Sequence, residues 1–487
     1  MKKTLSLCLA ALMLAGSLSS CASVPDDSPA ETTTAAPAVT DTTAAPETTP
    51  LDALKELDFS GENFRITFPS RMADTTLYDF HISPAEETGD ILNDTSYQCY
   101  REVEEMLGVN FEYFPQSEQT VVRDITSSLM GGEDAYDFIQ IHSAWENFLS
   151  LIQSGALYNL KKIPYMTLDA SYYYSNVNEQ FVINDKLYFG FTNFMNNANT
   201  PLHMVFNKDL ITSMQMELPY DAIFDGTWTY DTFHSYVSGA YADLNGDGKK
   251  DAFDRYGYAN STALSNYLVF GFNTSVVKRT ENGGYIPALQ DEHLISAVQR
   301  VVNFTTSDPD AFHASTPNPG NAPHLFMRGN SLFSTTGTGI LDLRSIEDFD
   351  FGIAPYPKYD ENQKQYTGYL ALNPFGVPVT VTKTDKVGAV TEALSILSAE
   401  KMLPAYLDVY VERKVLRDKE SVEVMRMMME NVFVDVSRYY DFAGGAITPV
   451  KLLGSIKNSS AVVSHLKSVE SKTTAKAEDF FKVFFEE

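Results

Sequence analysis

The chain has 487 residues, with 64 acidic side chains against 36 basic ones and a formal charge of −28. Such an excess repels polyphosphate and anionic headgroups, which excludes nucleic-acid binding and flat adsorption to an acidic membrane. Three cysteines exclude a disulfide scaffold, so an apolar core must hold the fold, and 44% hydrophobic residues suffice to build one.

The first twenty residues have the parts of an export signal. Lys2 and Lys3 give a positive start, an apolar run extends from Leu5 to Leu18, and small residues lead to Cys21. A permanent membrane span needs about 20 apolar residues, more than this run offers. Residues 1–20 therefore read as a signal peptide, and without Lys2 and Lys3 the formal charge becomes −30. Leu18-Ser19-Ser20-Cys21 resembles the bacterial lipobox, which implies cleavage before Cys21 and a diacylglyceryl (palmitate-type) lipid on its sulfur. An ordinary secretory signal with a chance cysteine is the alternative. From Ala22 to Pro50 there is no Lys, Arg or aromatic residue, only Ala, Thr, Pro, Ser, Val and acid. That composition cannot bury enough surface to offset ordering, so residues 21–54 are expected to be a lipidated cysteine with a disordered tether. As a flexible coil the tether would span about 30 Å.

The remaining body is too long for one ordinary domain and suggests two lobes. Asn63–Phe68 reads as a strand. A helix is expected from Asp90 to Leu107, with apolar Ile91, Val103, Met106 and Leu107 and a stop at Gly108. Val109–Phe114 alternates as a half-buried strand does, a helix covers about Glu118–Met130, and Tyr136–Ile141 is a strand covered on both faces. Strand–helix alternation of this kind predicts an α/β fold with mostly parallel sheets. From Lys386 the pattern turns helical, over Lys386–Ser398, Ser421–Asn431 and Ser459–Phe485. Cys99 lies on a helical pattern and reads as a buried small hydrophobe.

An ordered series of motifs across residues 58–487 resembles the family 1 extracellular solute-binding proteins of ABC importers, the maltose-binding-protein group. These are Asp137-Phe138-Ile139-Gln140 with Gly155–Leu160, Asp185–Tyr188 with Met204–Asp209, Thr227–Phe233 around Trp228, Phe326–Asn330 with Thr335–Gly337, and Phe351–Pro357. The resemblance implies a type II periplasmic-binding-protein fold: two lobes with mixed, mostly parallel sheets, a hinge, a solute cleft between them and a helical C-terminal region. It divides the body into 55–198 and 336–400 for lobe 1 and 199–335 and 401–487 for lobe 2. The hinge crossings fall near Asn197–Thr200, near Thr335–Thr338 and at the start of the C-terminal helices. Trp228 opens a helix in that pattern and is assigned to packing.

One motif carries its own chemistry. Asp243, Asn245, Asp247, Asp251 and Asp254 place oxygen side chains at positions 1, 3, 5, 9 and 12 of a calcium-loop pattern, with Gly248 at 6 and the Lys249 carbonyl at 7. Asp254 replaces the longer glutamate at position 12, and Tyr256-Gly-Tyr258 looks like a strand where an EF-hand has its second helix. The expectation is a structural calcium clip; an unloaded acidic turn after a helix at Tyr230–Ala242 is the alternative. No other cofactor is required.

By resemblance, four segments reach the cleft: Ser70 and Arg71; His142, Ser143 and Trp145; Asn196, Asn197 and Asn199; and Arg438, Tyr439 and Tyr440. Aromatic faces and planar polar side chains of this kind suit sugars, while Tyr172–Tyr174 fit a cleft rim or a surface loop equally. The chain lacks a Gly-x-Ser-x-Gly elbow, a His-Glu-x-x-His pair and a phosphate loop. The expected role is therefore a monomeric, non-enzymatic solute receptor, lipid-anchored outside the cell membrane and handing a sugar to ABC permease subunits. A ligand sensor, a receptor for peptide or another solute, and a lipid-anchored glycoside-processing enzyme are the rivals.

Overall fold

The computed structural model describes residues 49–70, 85–117, 120–142, 148–195, 200–314, 322–335 and 340–485. Cys21 and most of the tether lie outside them, as do Arg71, Ser143, Trp145, Asn196, Asn197 and Asn199.

Thirteen strands form in chain order among the described residues: β1 Glu62–Pro69, β2 Val109–Gln116, β3 Phe138–Gln140, β4 Met204–Asn207, β5 Tyr256–Ser261, β6 Val277–Arg279, β7 Tyr285–Pro287, β8 Ala311–Ala314, β9 Ser331–Thr335, β10 Phe351–Ala354, β11 Gly368–Tyr369, β12 Phe375–Gly376 and β13 Val432–Phe433. One sheet has the order β12-β3-β1-β2, and a second has the order β10-β4-β9-β5-β8. In the first, β1 pairs in parallel with β2 and β3, and β12 runs antiparallel to β3. In the second, β5 is parallel to β8 and β9, and β4 is antiparallel to β9 and β10. The central strand β3 is buried along its whole length, which is why its sequence runs apolar instead of alternating.

The helix Ile91–Leu107 shows how the local sequence places these layers. Asp90 caps it, accepting from the amides of Leu92 at 2.9 Å and Asn93 at 3.3 Å. Cys99, Tyr100, Val103 and Leu107 form its buried face. Gly108 ends it at φ 61°, a left-handed conformation that favours glycine. Asp90→Ala is expected to cost about 1 kcal/mol, read as a lower urea midpoint with an unchanged m-value. Cys99 lies in the core with Sγ 3.9 Å from the Leu397 carbonyl, and burial pushes its thiol up to about 12, which leaves it a packing residue.

The C-terminal region is helical, over Thr384–Leu397, Lys419–Glu430 and Val462–Phe481, with π-helical turns at Ser398–Met402 and Ala405–Val415. Helix Thr384–Leu397 approaches so closely that a Cβ on Gly388 would lie 1.7 Å from the Pro164 carbonyl oxygen. Trp228 is fully buried, its Nε1 donating to the Pro355 carbonyl at 3.0 Å. Tyr172 donates to Glu392 and Tyr173 is fully buried, so this cluster packs on the C-terminal helices and does not form a cleft rim.

One boundary differs from expectation. The resemblance put the return to the first sheet near 335–338, but β10 pairs with β4, Phe351 opposite Asn207. The chain therefore stays on the second sheet until Ala354 and reaches the first again only at β12. The apolar run Phe351–Ala354 is consumed as an edge strand beside β4, where Gly352 packs against Phe206 and Tyr220.

Candidate functional site

Parallel strands deliver their C-terminal ends to a common edge, and in open α/β sheets ligands sit outside that edge. On the first sheet β1 and β3 end there, and β12 begins there with Phe375 opposite Gln140. On the second sheet Ser261, Ala314, Thr335 and Ala354 end there, and Met204 enters opposite Thr335. The chain enters the second edge through 200–203 and returns to the first through 355–374. Both connections join the same pair of edges, and they touch: the Leu202 amide donates to the Tyr369 carbonyl at 2.8 Å.

These ends concentrate buried polar side chains. Tyr258 OH lies 3.1 Å from Thr335 Oγ1, and Asn260 Nδ2 donates to the Thr335 carbonyl at 2.6 Å and to Ser334 Oγ at 3.2 Å. Ser265 Oγ bonds the Ser261 carbonyl and His313 Nδ1, at 2.8 and 2.9 Å. Burial holds the His313 and His203 imidazoles down at about 4, so both are neutral at physiological pH. Gln140 Oε1 at the end of β3, Thr200 Oγ1 on the first crossing and Tyr356 OH on the second are buried with no hydrogen-bond partner among the described residues, as is His313 Nε2 on β8. Buried polar atoms without a partner are rare in native proteins. Others, such as Tyr100 OH and Thr380 Oγ1, lie elsewhere in the fold, but those on the segments that reach the two sheet edges are placed where a solute could bond them.

Beside them Arg438 donates to Tyr369 OH at 3.0 Å and lies 3.4 Å from Tyr267 OH. Tyr369 stacks on Phe270 at 4.1 Å, next to Tyr267 and Phe433. Asp435, two residues past β13 in the same segment, is buried, and burial raises its carboxyl to about 6.

Of the residues expected in the cleft, Ser70 is exposed at the end of β1, His142 is half-buried after β3, and Arg438 is at the second crossing. Tyr439 and Tyr440 are corrected to core residues. Both are buried, with their hydroxyls donating to the carbonyls of Leu372 at 2.8 Å and Phe181 at 2.9 Å, inside a cluster with Phe181, Phe189 and Phe484. Gln140, Thr200, Asn260 and Tyr356 were not singled out from sequence. Asn260-Ser261, polar directly after the alternating Tyr256–Ala259, is the kind of strand-end signal that could have found one of them.

The loop 243–254 has the turns its pattern predicts. Asp243 accepts from the amides of Gly246 and Gly248, Asn245 from Asp247 and Asp247 from Lys249. Both glycines have positive φ, 72° and 70°. The preceding helix is shorter than expected, Tyr230–Val237, and β5 follows where a second EF helix would be. Asp254 is fully buried and accepts from Leu244, Asp251 and Tyr241 OH. Among the described residues no three His, Cys, Asp or Glu side chains converge as metal ligands, and no helix is long and apolar enough to cross a membrane.

Comparison with known proteins extends the topology. UspC of Mycobacterium tuberculosis superposes with a TM-score of 0.56 at 15% identity, covering 85% of this chain and 100% of that one. An ABC substrate-binding protein from Listeria monocytogenes, solved with cycloalternan, gives 0.53 at 15% identity over 85% and 99%. UgpB of M. tuberculosis, solved with glycerophosphocholine, gives 0.54 at 13% identity over 86% and 98%. The chain has the type II periplasmic-binding-protein fold. No protein-family model and no curated protein matches it in sequence. Gln140, Thr200 and Tyr356 lie at the strand ends and crossings of this fold.

Proposed function

We propose that this protein is the membrane-anchored solute-binding component of an ABC importer. It captures a small polar solute between the facing sheet edges and presents the closed form to a permease. The observation that carries the reading is the set of buried polar atoms with no partner among the described residues, on Gln140, Thr200, His313 and Tyr356, at the edges of a type II binding fold. Their neighbours are hydroxyls, amides and tyrosines, the donor–acceptor mixture that suits polyhydroxylated ligands. Among structurally similar proteins, the Listeria protein is solved with cycloalternan, UgpB with glycerophosphocholine and a cyclo/maltodextrin-binding protein with maltotetraose. Two of these ligands are neutral oligosaccharides and the third is a zwitterionic phosphodiester of a polyol, so a hydroxyl-rich solute, a sugar or oligosaccharide first, is the reading we favour. Closing a cleft over such a ligand buries most of its surface while a few crossing residues absorb the motion.

Isothermal calorimetry against sugars, oligosaccharides, polyols and peptides tests this. Saturable binding of a polyhydroxylated solute that is recovered unchanged is the expected result. A solute consumed on incubation would reject the receptor reading in favour of an enzyme.

Cys21 is proposed as the lipid anchor, with the Thr- and Pro-rich segment behind it as the tether. A Cys21→Ala protein is expected to bind solute with unchanged affinity and to appear in the culture medium; retention in the membrane fraction would refute the anchor. The loop 243–254 is proposed as a calcium clip. Its oxygens and paired positive-φ glycines form the turn a calcium loop needs, although Asp254 is partly engaged by the protein. Millimolar calcium should raise the Tm of the wild type by a few degrees and leave an Asp243→Ala, Asp247→Ala protein unmoved, by mass action on the folded state. Equal Tm values for the wild type with calcium and with chelator would remove the clip.

A further inference from the structure

Three stretches of chain meet at Tyr369. Its carbonyl accepts from the Leu202 amide, on the first crossing, at 2.8 Å. Its neighbours face the other way: the Gly368 and Leu370 amides donate to the carbonyls of Asn431 and Phe433 at 2.9 and 3.0 Å, within the parallel pair β11–β13. Successive residues of a strand turn their peptide groups to opposite edges, so β11 is the middle of a three-stranded ribbon. The third member, β13, lies on a further connecting segment. That segment leaves the helix Lys419–Glu430, where Ser421 Oγ accepts from the Ile353 amide of β10 at 3.1 Å, and runs to Tyr440, whose hydroxyl bonds the Phe181 carbonyl. β10 belongs to the second sheet, while Phe181 precedes the first crossing.

The Tyr369 side chain fastens this ribbon to one half of the fold. Its ring stacks on Phe270 at 4.1 Å and on Tyr267 at 5.5 Å, both in the segment 262–271 that directly follows β5. Arg438, on the third segment, donates to Tyr369 OH at 3.0 Å and to Tyr267 OH at 3.4 Å. The guanidinium thus ties two of the connections to the chain leaving the second sheet. The residue after it turns the other way, with Tyr439 OH donating to the Leu372 carbonyl at 2.8 Å, just before β12 of the first sheet.

We propose that Tyr369 and Arg438 are positioning residues for solute capture: they hold the connections to the second sheet, so that the two sheet edges approach or part by bending between this joint and the first sheet. The proposal rests on the receptor reading above. Neither residue need touch solute, but the crossings they hold carry Thr200, two residues before Leu202, and Tyr356. Gln140, Thr200 and Tyr356 have their polar atoms covered in the described form, so a bond made in that form favours the approached arrangement. Its loss shifts the population towards parted edges, and solute then dissociates faster because binding must also draw the edges together.

The test reads the separation of the two sheets by pulsed electron paramagnetic resonance. Spin labels go on cysteines replacing Glu105 and Asn303, both exposed, on the helices Ile91–Leu107 and Glu292–Ser307. The full chain carries Cys21→Ala so that only these positions are labelled; Cys99 is buried. Tyr369→Phe, Arg438→Met and the double variant are compared with the wild type, without solute and with maltotetraose, and each is first shown to melt cooperatively. Each single variant should populate longer distances without solute, and the double variant should go no further than the singles, because both remove one bond. Maltotetraose should dissociate about tenfold faster from them, the effect of one hydrogen bond to a charged group, with association changed less than about twofold. Lower melting temperatures with unshifted distances would mean a packing role and would overturn the proposal, as would shifts that add in the double variant. Maltotetraose binding with unshifted distances overturns the joint and leaves the receptor reading standing. Shifted distances with no maltotetraose binding uphold the joint and count against that sugar as the solute.

Discussion

Replacing Tyr356 by phenylalanine is expected to stabilise the unliganded protein and weaken solute binding in the same variant. The two effects have one cause. The hydroxyl is buried without a partner among the described residues, so the folded state carries its desolvation cost, which for such groups is about 1–3 kcal/mol. Removing only the oxygen keeps the ring in place among Tyr258, Tyr267 and Tyr369, with the Thr335 side chain beside it, and relieves that cost. If a solute hydroxyl is the missing partner, the variant also loses a hydrogen bond worth about 1 kcal/mol, a fivefold to tenfold weaker Kd. Thr200→Val, nearly isosteric, makes the same prediction on the other crossing. Denaturant melts of the unliganded protein combined with calorimetry read both signs at once. A variant that is more stable and binds as well as the wild type would show that the orphaned hydroxyl belongs to packing alone and would take this support from the cleft. A less stable variant would show that the hydroxyl has a partner within the protein.

Acid should destabilise the protein well above the carboxylate range. His203 and His313 are held near 4 by burial, against an ordinary value of 6.5. The unfolded chain therefore binds two protons between those values that the folded one refuses, and stability falls as pH drops from about 6.5 towards 4. Each histidine accounts for about 3 kcal/mol over that window, at about 1.4 kcal/mol for every pH unit separating its folded and unfolded pKa. Asp435 acts in the opposite direction. Its carboxyl is raised from 3.8 to about 6, so the folded state takes up a proton earlier than the unfolded one and gains stability as pH falls. These three groups together give a loss of roughly 3 kcal/mol between pH 7 and pH 4. Asp435→Asn should steepen the loss, and His203→Gln should flatten it, in urea melts taken at half-unit pH steps. A wild-type stability that is level from pH 7 to pH 5 would show that these imidazoles are not held neutral by the fold.

Much of the architecture was legible because local chemistry and tertiary structure agree. Asp90 and Gly108 bracket the first long helix, and the continuous apolar run at β3 announces a strand buried on both faces. Trp228, met as an aromatic at a helix entrance, packs as its motif implied. The misjudged return at 335–338 shows the limit. Phe351–Ala354 is a strand from its residues alone, but whether it pairs with β4 or begins the other sheet depends on which edge is free, and no residue in the run records that. Tyr439 and Tyr440 failed for a similar reason. An Arg-Tyr-Tyr cluster is equally a sugar platform or a core, and only the carbonyls of Leu372 and Phe181 at their hydroxyls show that the tyrosines are spent.

By itself the sequence determined the export signal pattern, the acidic surface, the α/β class and the order of helices and strands, because each rests on composition or on a period of a few residues. The site was decided by tertiary structure. Gln140, Thr200 and Tyr356 are more than 200 residues apart at their extremes, and each is ordinary where it stands in the chain. They become a candidate binding edge only when parallel pairing brings the strand ends to one side and two crossings lay polar atoms there that no described residue bonds. Hydrogen bonding is satisfied or left open in three dimensions, and a linear sequence carries no record of which atoms will be left over.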